Sequence, residues 1–261
     1  MSKRKAFTLA EILVTLGLIG VVAALTIPFL LQEFNKSKWA VTYQRSFAET
    51  FNVLGKIALS EDCAKSLTCT HVFDNGQMQS TRDFGDELVK NMAVSQNCGT
   101  NNGNCFSHSV KIGLSTETSQ TLQETMADAV AFNTPFYTFK TTRGVSYAVL
   151  SFGLKCLNEN IGPTEQAYID AYVLQPNDPT NQMLSLCGFI ILDVNGEQSP
   201  NTWGRDVFGM WITDRGSIGV YPFGGDLDKK FNGQCHFATD GNQDTRGCAA
   251  QLVKDGWKMK Y

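Results

Sequence analysis

The chain has 261 residues, 43% hydrophobic and 18% charged, so it can bury a core of one large or two small domains. Net charge is −3 and the isoelectric point about 5.6, and the Lys and Arg residues are scattered apart from Lys3, Arg4 and Lys5. A nucleic-acid groove needs clustered cations, so nucleic acid is excluded as the main partner.

The first predicted element is an apolar helix. From Ile12 to Gln32 there is no charged residue, and about 20 helical residues at about 1.5 Å each match a hydrocarbon core of about 30 Å. The cations Lys3 to Lys5 hold the N-terminus in the cytoplasm, so the chain beyond the helix is exported. A secretory signal has an apolar run of about 7–15 residues closed by a small-x-small site. Here the run is longer, and Ala23 and Ala24 lie in its middle. A plain anchor accounts for the length. It leaves unexplained Glu11, a carboxylate near the membrane interface, because acids in such helices are costly and usually functional.

The stretch KAFTLAEILVTLGLIGVVAALTIP, residues 5–28, resembles the cleavage and methylation signal of type IV pilins and type II secretion pseudopilins. That family has a short basic leader, a small residue, a cut, then Phe-Thr-Leu and a Glu at the fifth mature position. The resemblance puts the cut between Ala6 and Phe7, N-methylation on Phe7, and Glu11 at the family's acid. Ala6 stands where the family usually carries Gly. It implies a prepilin peptidase and other pilin or pseudopilin subunits as partners, with the inner membrane as the first location and a pilus or pseudopilus as the second. A carboxylate one turn from a newly freed amine can pair with a neighbour's N-terminus in low dielectric, and breaking a buried pair costs about 3–5 kcal/mol. Gly17 and Gly20 permit close helix approach and Pro28 removes a backbone hydrogen bond. All three are also tolerated in ordinary membrane helices.

Beyond the apolar run, Trp39, Tyr43, Phe47, Phe51, Leu54 and Ala58 recur at helical spacing, with Lys36, Lys38, Arg45, Glu49 and Lys56 between them. One continuous helix from Phe7 to Ser60 is expected, its second half packing the apolar stripe on a domain. The chain is thus organised as a leader (1–6), a membrane helix (7–32), an amphipathic continuation (33–60) and an exported globular domain (61–261).

The exported domain opens with an irregular polar region to residue 110 that holds one predicted helix, Asp83 to Val94. A second helix is expected over Ser119 to Phe132, then a hairpin over 135–152. Residues 158–182 read as an insertion or surface loop. The run 188–223 reads as a three-stranded antiparallel meander: Phe189 to Leu192, Val207 to Thr213, a turn at Asp214-Arg215-Gly216, and a third strand. Its loop, and the closing segment GCAAQLVKDGWKMKY, resemble segments of large pilin-like proteins and pseudopilins. The fold class expected is α+β, a long N-terminal helix on an antiparallel sheet.

Eight cysteines, Cys63, Cys69, Cys98, Cys105, Cys156, Cys187, Cys235 and Cys248, all lie beyond the apolar segment. An even count outside the cytoplasm fits disulfides. Sequence-adjacent pairing is the economical expectation among about 105 connectivities, and buried free thiols are the alternative. In the meander's loop, Asp193, Asn195, Glu197, Asn201 and Asp206 bring oxygen donors around Gly196, and calcium takes six to eight oxygens. Some pseudopilins bind calcium in a loop of this region. The alternative is an Asx-rich loop that caps its own backbone. No P-loop, G-x-S-x-G, H-E-x-x-H or dinucleotide fingerprint is present, and His71, His108 and His236 stand apart, so no enzyme is expected. The function expected is a structural subunit, minor or at the tip, of a type IV pilus or type II secretion pseudopilus. The rival is a membrane-anchored extracellular binding or adhesion domain that never polymerises.

Overall fold

A computed structural model describes residues 8–63, 66–101, 105–112, 119–121, 135–153, 156, 186–214, 217–224, 235, 245 and 247–261. The expected 158–182 loop, the Arg215-Gly216 turn and His236 lie outside these residues. The chain divides into two compact units, Met1–Lys38 and Trp39–Tyr261.

Helix α1 runs over Leu9–Ser60, 52 residues. In the first unit its large apolar side chains, Leu9 through Phe34, are exposed. By length and composition this helix can cross a membrane.

The second unit is built on a six-stranded antiparallel sheet. Its strands are β1 (Val94–Gly99), β4 (Tyr137–Thr141), β5 (Ser146–Ser151), β6 (Leu186–Asp193), β7 (Val207–Asp214) and β8 (Ile218–Pro222), in the spatial order β1-β4-β5-β6-β7-β8. Two further short strands, β2 (Val110–Lys111) and β3 (Ser119–Gln120), pair separately. A short 3-10 helix (His71–Phe73), helix α2 (Gln77–Asn91) and helix α3 (Cys248–Lys254) complete the regular elements among the described residues. The hairpin and the meander are where apolar runs and turn residues placed them.

Register explains how α1 docks. Phe139 faces Tyr147, Tyr147 faces Leu192, and Leu192 faces Phe208 across β4 to β7, so these four side chains form one row on one face. Tyr43 of α1 stacks on Phe208 with ring centroids 4.7 Å apart, and its hydroxyl donates to the Gly209 carbonyl at 3.0 Å. Phe47 and Trp257 close the same aromatic group, 5.7 Å apart. The buried stripe of α1 is Ala40, Tyr43, Ser46, Thr50, Val53, Leu54, Ile57 and Ala58. Phe51, expected in the stripe, is instead 48% exposed. A four-residue step overshoots the 3.6-residue turn, so the inner position falls to Thr50.

The opposite face carries a second aromatic group. Phe189 lies 5.7 Å from Trp211 and 5.9 Å from Phe223, and Trp203 stacks on Phe223. Both faces are covered, which is why every residue of β5, β6 and β7 is buried.

Two expected helices change. Helix α2 begins at Gln77, not Asp83, and ends before Val94, which opens strand β1. Its first inner positions are the buried polar residues Ser80 and Thr81, and Thr81 Oγ1 accepts from the Ser151 amide at 3.0 Å. Polar residues on the inner face hide the first turn from an apolar periodicity. The helix expected over Ser119 to Phe132 begins instead as strand β3, because Ser119 and Gln120 pair with Lys111 and Val110; its remainder lies outside the described residues.

Four disulfides join Cys63 to Cys69, Cys98 to Cys105, Cys156 to Cys187 and Cys235 to Cys248. The first loop is tied to the sheet by Asp214, whose Oδ2 accepts from Ser66 Oγ at 2.6 Å, the Leu67 amide at 2.7 Å and the Thr68 amide at 2.9 Å. Asp214→Ala strands these donors and should cost about 2–4 kcal/mol in urea unfolding of the full chain in detergent. Asp214→Asn keeps one acceptor oxygen and should retain part of that stability.

Candidate functional site

Two places carry the expected site residues. The first is the start of α1. Thr8 precedes the helix, and Glu11 Oε2 accepts from the Thr8 amide at 2.8 Å and the Thr8 hydroxyl at 2.9 Å. The Glu11 amide donates back to Thr8 Oγ1 at 3.2 Å. This is a capping box: each side chain satisfies a backbone N–H that the first turn leaves orphaned. Its signature, T-x-x-E, stands in the sequence as Thr8-Leu9-Ala10-Glu11, and hydropathy alone does not single it out.

Farther along, an added Cβ would meet nothing within 4 Å at Gly17 or at Gly20, so in the single chain both leave open surface. Pro28 lies inside α1, which continues through it as helix. Ala6 and Phe7 fall outside the described residues.

Residues 1–27 match the family described as the prokaryotic N-terminal methylation motif. The chain carries the type IV pilin and pseudopilin signal. No curated protein and no solved structure matches it. The motif covers Glu11, Gly17 and Gly20, and ends one residue before Pro28.

The second place is the loop from β6 to β7, on the sheet face away from the α1 row. Asp193 and Asp206 are both fully buried. Asp206 is held by the backbone: its Oδ2 accepts from the Asn201 amide at 2.8 Å and its Oδ1 from the Thr202 amide at 2.7 Å. Burial pushes the Asp193 carboxyl up to about 9, and the charge of Asp206 adds to the shift. Burial also raises Asp206, against the amides of Thr202 and Asn201 that favour its charged form.

The five expected calcium ligands divide. Asp193, Asn195 and Asp206 lie together. The side chain of Asn195 acts on Asp206, and its Oδ1 is buried without a hydrogen-bond partner. Ser146, which faces Asp193 across the sheet, also has a buried hydroxyl without a partner. Glu197 turns outward to pair with Lys140 at 3.0 Å. Asn201 is engaged by its side chain: with both amide ends satisfied, its nitrogen donates to Asp193 Oδ2 at 3.0 Å and its oxygen accepts from Ser107 Oγ at 3.1 Å. Two acids and two orphaned oxygens fit a hard cation; Glu197 and Asn201 do not join them. Among the described residues, no three acids, histidines or cysteines gather into a metal-binding group.

The raised carboxyl has a consequence for stability. Its unfolded value is near 3.8 and its folded value about 9, so between these the unfolded chain has released the proton that the folded chain still holds. The contribution of Asp193 to stability is therefore full below about pH 4 and is lost as pH rises towards about 9. In calcium-free buffer, Asp193→Asn, which cannot ionise, should raise the melting temperature at pH 8. It should also flatten the fall between pH 5 and pH 8 measured by circular dichroism.

Proposed function

We propose that the chain is a structural subunit of a type IV pilus or type II secretion pseudopilus. A prepilin peptidase cuts between Ala6 and Phe7, Phe7 is methylated, and the mature chain assembles through its N-terminal helix. The observation that carries this reading is the methylation motif at residues 1–27, with Glu11 four residues after Phe7. Supporting it are the apolar helix able to span a membrane and the cations Lys3, Arg4 and Lys5 on the side retained in the cytoplasm. The four disulfides fit a domain exported from the reducing compartment. Before assembly the chain is a single-pass protein of the bacterial inner membrane. The size and cysteine content of its exported domain favour a minor or tip position, and its role is structural rather than enzymatic.

In the filament, Glu11 pairs with the Phe7 amine of a neighbouring subunit. Gly17 and Gly20, open on the single chain, receive a neighbour's helix at short distance. Mass spectrometry of the mature protein should find N-methylated Phe7 as the first residue. An intact Met1, or an N-terminus after Ala23 or Ala24, would replace this reading with that of an anchored domain that never polymerises. Glu11→Ala should leave the processed subunit in the membrane while sheared filaments fall at least tenfold; unchanged filament yield would refute the pairing.

A second reading concerns the β6–β7 loop. The orphaned oxygens of Asn195 and Ser146 beside two buried acids favour calcium, with Asp193, Asn195 and Asp206 as the side chains that would hold it. A bound dication would offset the repulsion between the acids. Millimolar calcium should raise the melting temperature of the wild-type chain at pH 8 and leave that of Asp193→Asn unchanged. An equal response in both would remove calcium from this loop.

A further inference from the structure

Lys140 of β4, Ser146 of β5 and Asp193 of β6 are direct cross-strand partners. Partners in one row point to one face, and this row alternates with the Phe139, Tyr147 and Leu192 row that faces α1. The three side chains therefore share the face of the β6–β7 loop. Two of them are the buried acid Asp193 and Ser146, which is fully buried with a hydroxyl that has no hydrogen-bond partner. The third brings a positive charge to the end of the same row.

Gly196 fixes where that charge stands. Its φ is +71°, and a Cβ built there would lie 2.9 Å from the Gly144 carbonyl oxygen, 3.8 Å from Ser146 Oγ and 3.9 Å from Lys140 Cε. The loop thus closes over the row with the unpartnered hydroxyl and the lysine chain at the same glycine. Lys140 reaches past it to Glu197, Nζ to Oε1 at 3.0 Å, and is the more buried of the two, 24% exposed against 41%. The pair has two effects on the oxygens of the loop. It draws Glu197 to the rim and leaves Asp193 and Asp206 as the inner acids; among the described residues no third acid, histidine or cysteine joins them. It also sets a fixed cation beside a site whose affinity for a dication depends on the charge of the ligands it gathers.

We propose that Lys140 sets the affinity of the β6–β7 loop for a divalent cation, by withholding Glu197 and by placing an ammonium on the row of Ser146 and Asp193. The proposal rests on the calcium reading of this loop. With Lys140 replaced, Glu197 is released to return as a third acid. With Glu197 replaced, the ammonium is released instead, and Asp193 is the acid on its own row.

Calorimetric titration of calcium chloride into the full chain in detergent, at fixed salt, tests it. Lys140→Met should bind calcium about tenfold more tightly than wild type, and Glu197→Gln about tenfold more weakly. A pair that only fastens the loop predicts one direction for both variants, since each breaks it. Shifts of the same sign, or a Lys140→Met that binds no more tightly than wild type, would overturn the proposal and leave the calcium reading standing. Binding by Lys140→Met without binding by wild type would support the proposal while ending the calcium reading for the native loop. No binding by any of the three chains would overturn both. Circular dichroism checks that each variant is folded, and Lys140→Gln takes the place of Lys140→Met if the latter is not.

Discussion

Within the second unit, the controlling contact is the stack of Tyr43 on Phe208, fixed at its far end by the hydroxyl bond to Gly209. A ring stacked on a strand sets the distance of the helix from the sheet, and the directed bond sets its position along β7. Residues at turn spacing from Tyr43 then form the buried inner stripe of α1. Trp257 joins the same aromatic group, 5.9 Å from Tyr43, so the C-terminal segment packs where the helix does. Loss of one ring would therefore loosen three segments that lie far apart in the chain.

The sheet could be read because its strands are apolar for a simple reason. Each of β5, β6 and β7 is buried on both faces, and such strands appear as continuous hydrophobic runs bounded by turn residues. Helix α1 was legible from length and periodicity. Two of the errors share one cause, polar residues placed inside. Ser80 and Thr81 are buried in the first turn of α2, and Thr50 takes the inner place expected for Phe51. Periodicity reads hydrophobicity as a proxy for burial, and each of these residues breaks the proxy. Strand β1 was missed for the converse reason. As an edge strand it is largely exposed, so it shows no apolar alternation to read.

The candidate sites were legible as sets of residues, while their division into roles required geometry. Five oxygen-bearing side chains in one loop are equivalent on paper. Folding separates them, because strand alternation sends Asp193 inward while Glu197, past the strand end, reaches Lys140 at the surface. Asp206 arrives from the other side of the loop and is met by two backbone amides. The loop thus caps itself with one acid and buries the other beside it. The self-capping reading thus accounts for Asp206, whose two oxygens are met by the Asn201 and Thr202 amides, while the oxygens left without a partner are those of Asn195 and Ser146.

Glu11 joins two demands that might be thought to compete. An acid at the head of an apolar helix is useful to that helix alone, since it satisfies an orphaned amide and sits at the positive end of the helix dipole. In the filament proposed above, the same acid binds a neighbour's amine. The capping box resolves this by geometry, because both bonds from Thr8 end on Oε2. Oε1 accepts no hydrogen bond among the described residues, and a carboxylate has about four acceptor sites. The cap therefore holds the rotamer without consuming the group. Orientation by Thr8 also removes part of the side-chain entropy that pairing would otherwise cost. The spacing of Thr8 and Glu11 thus suits both the cap and the proposed pairing: three residues close the box, and the carboxylate it holds keeps one oxygen outside those bonds.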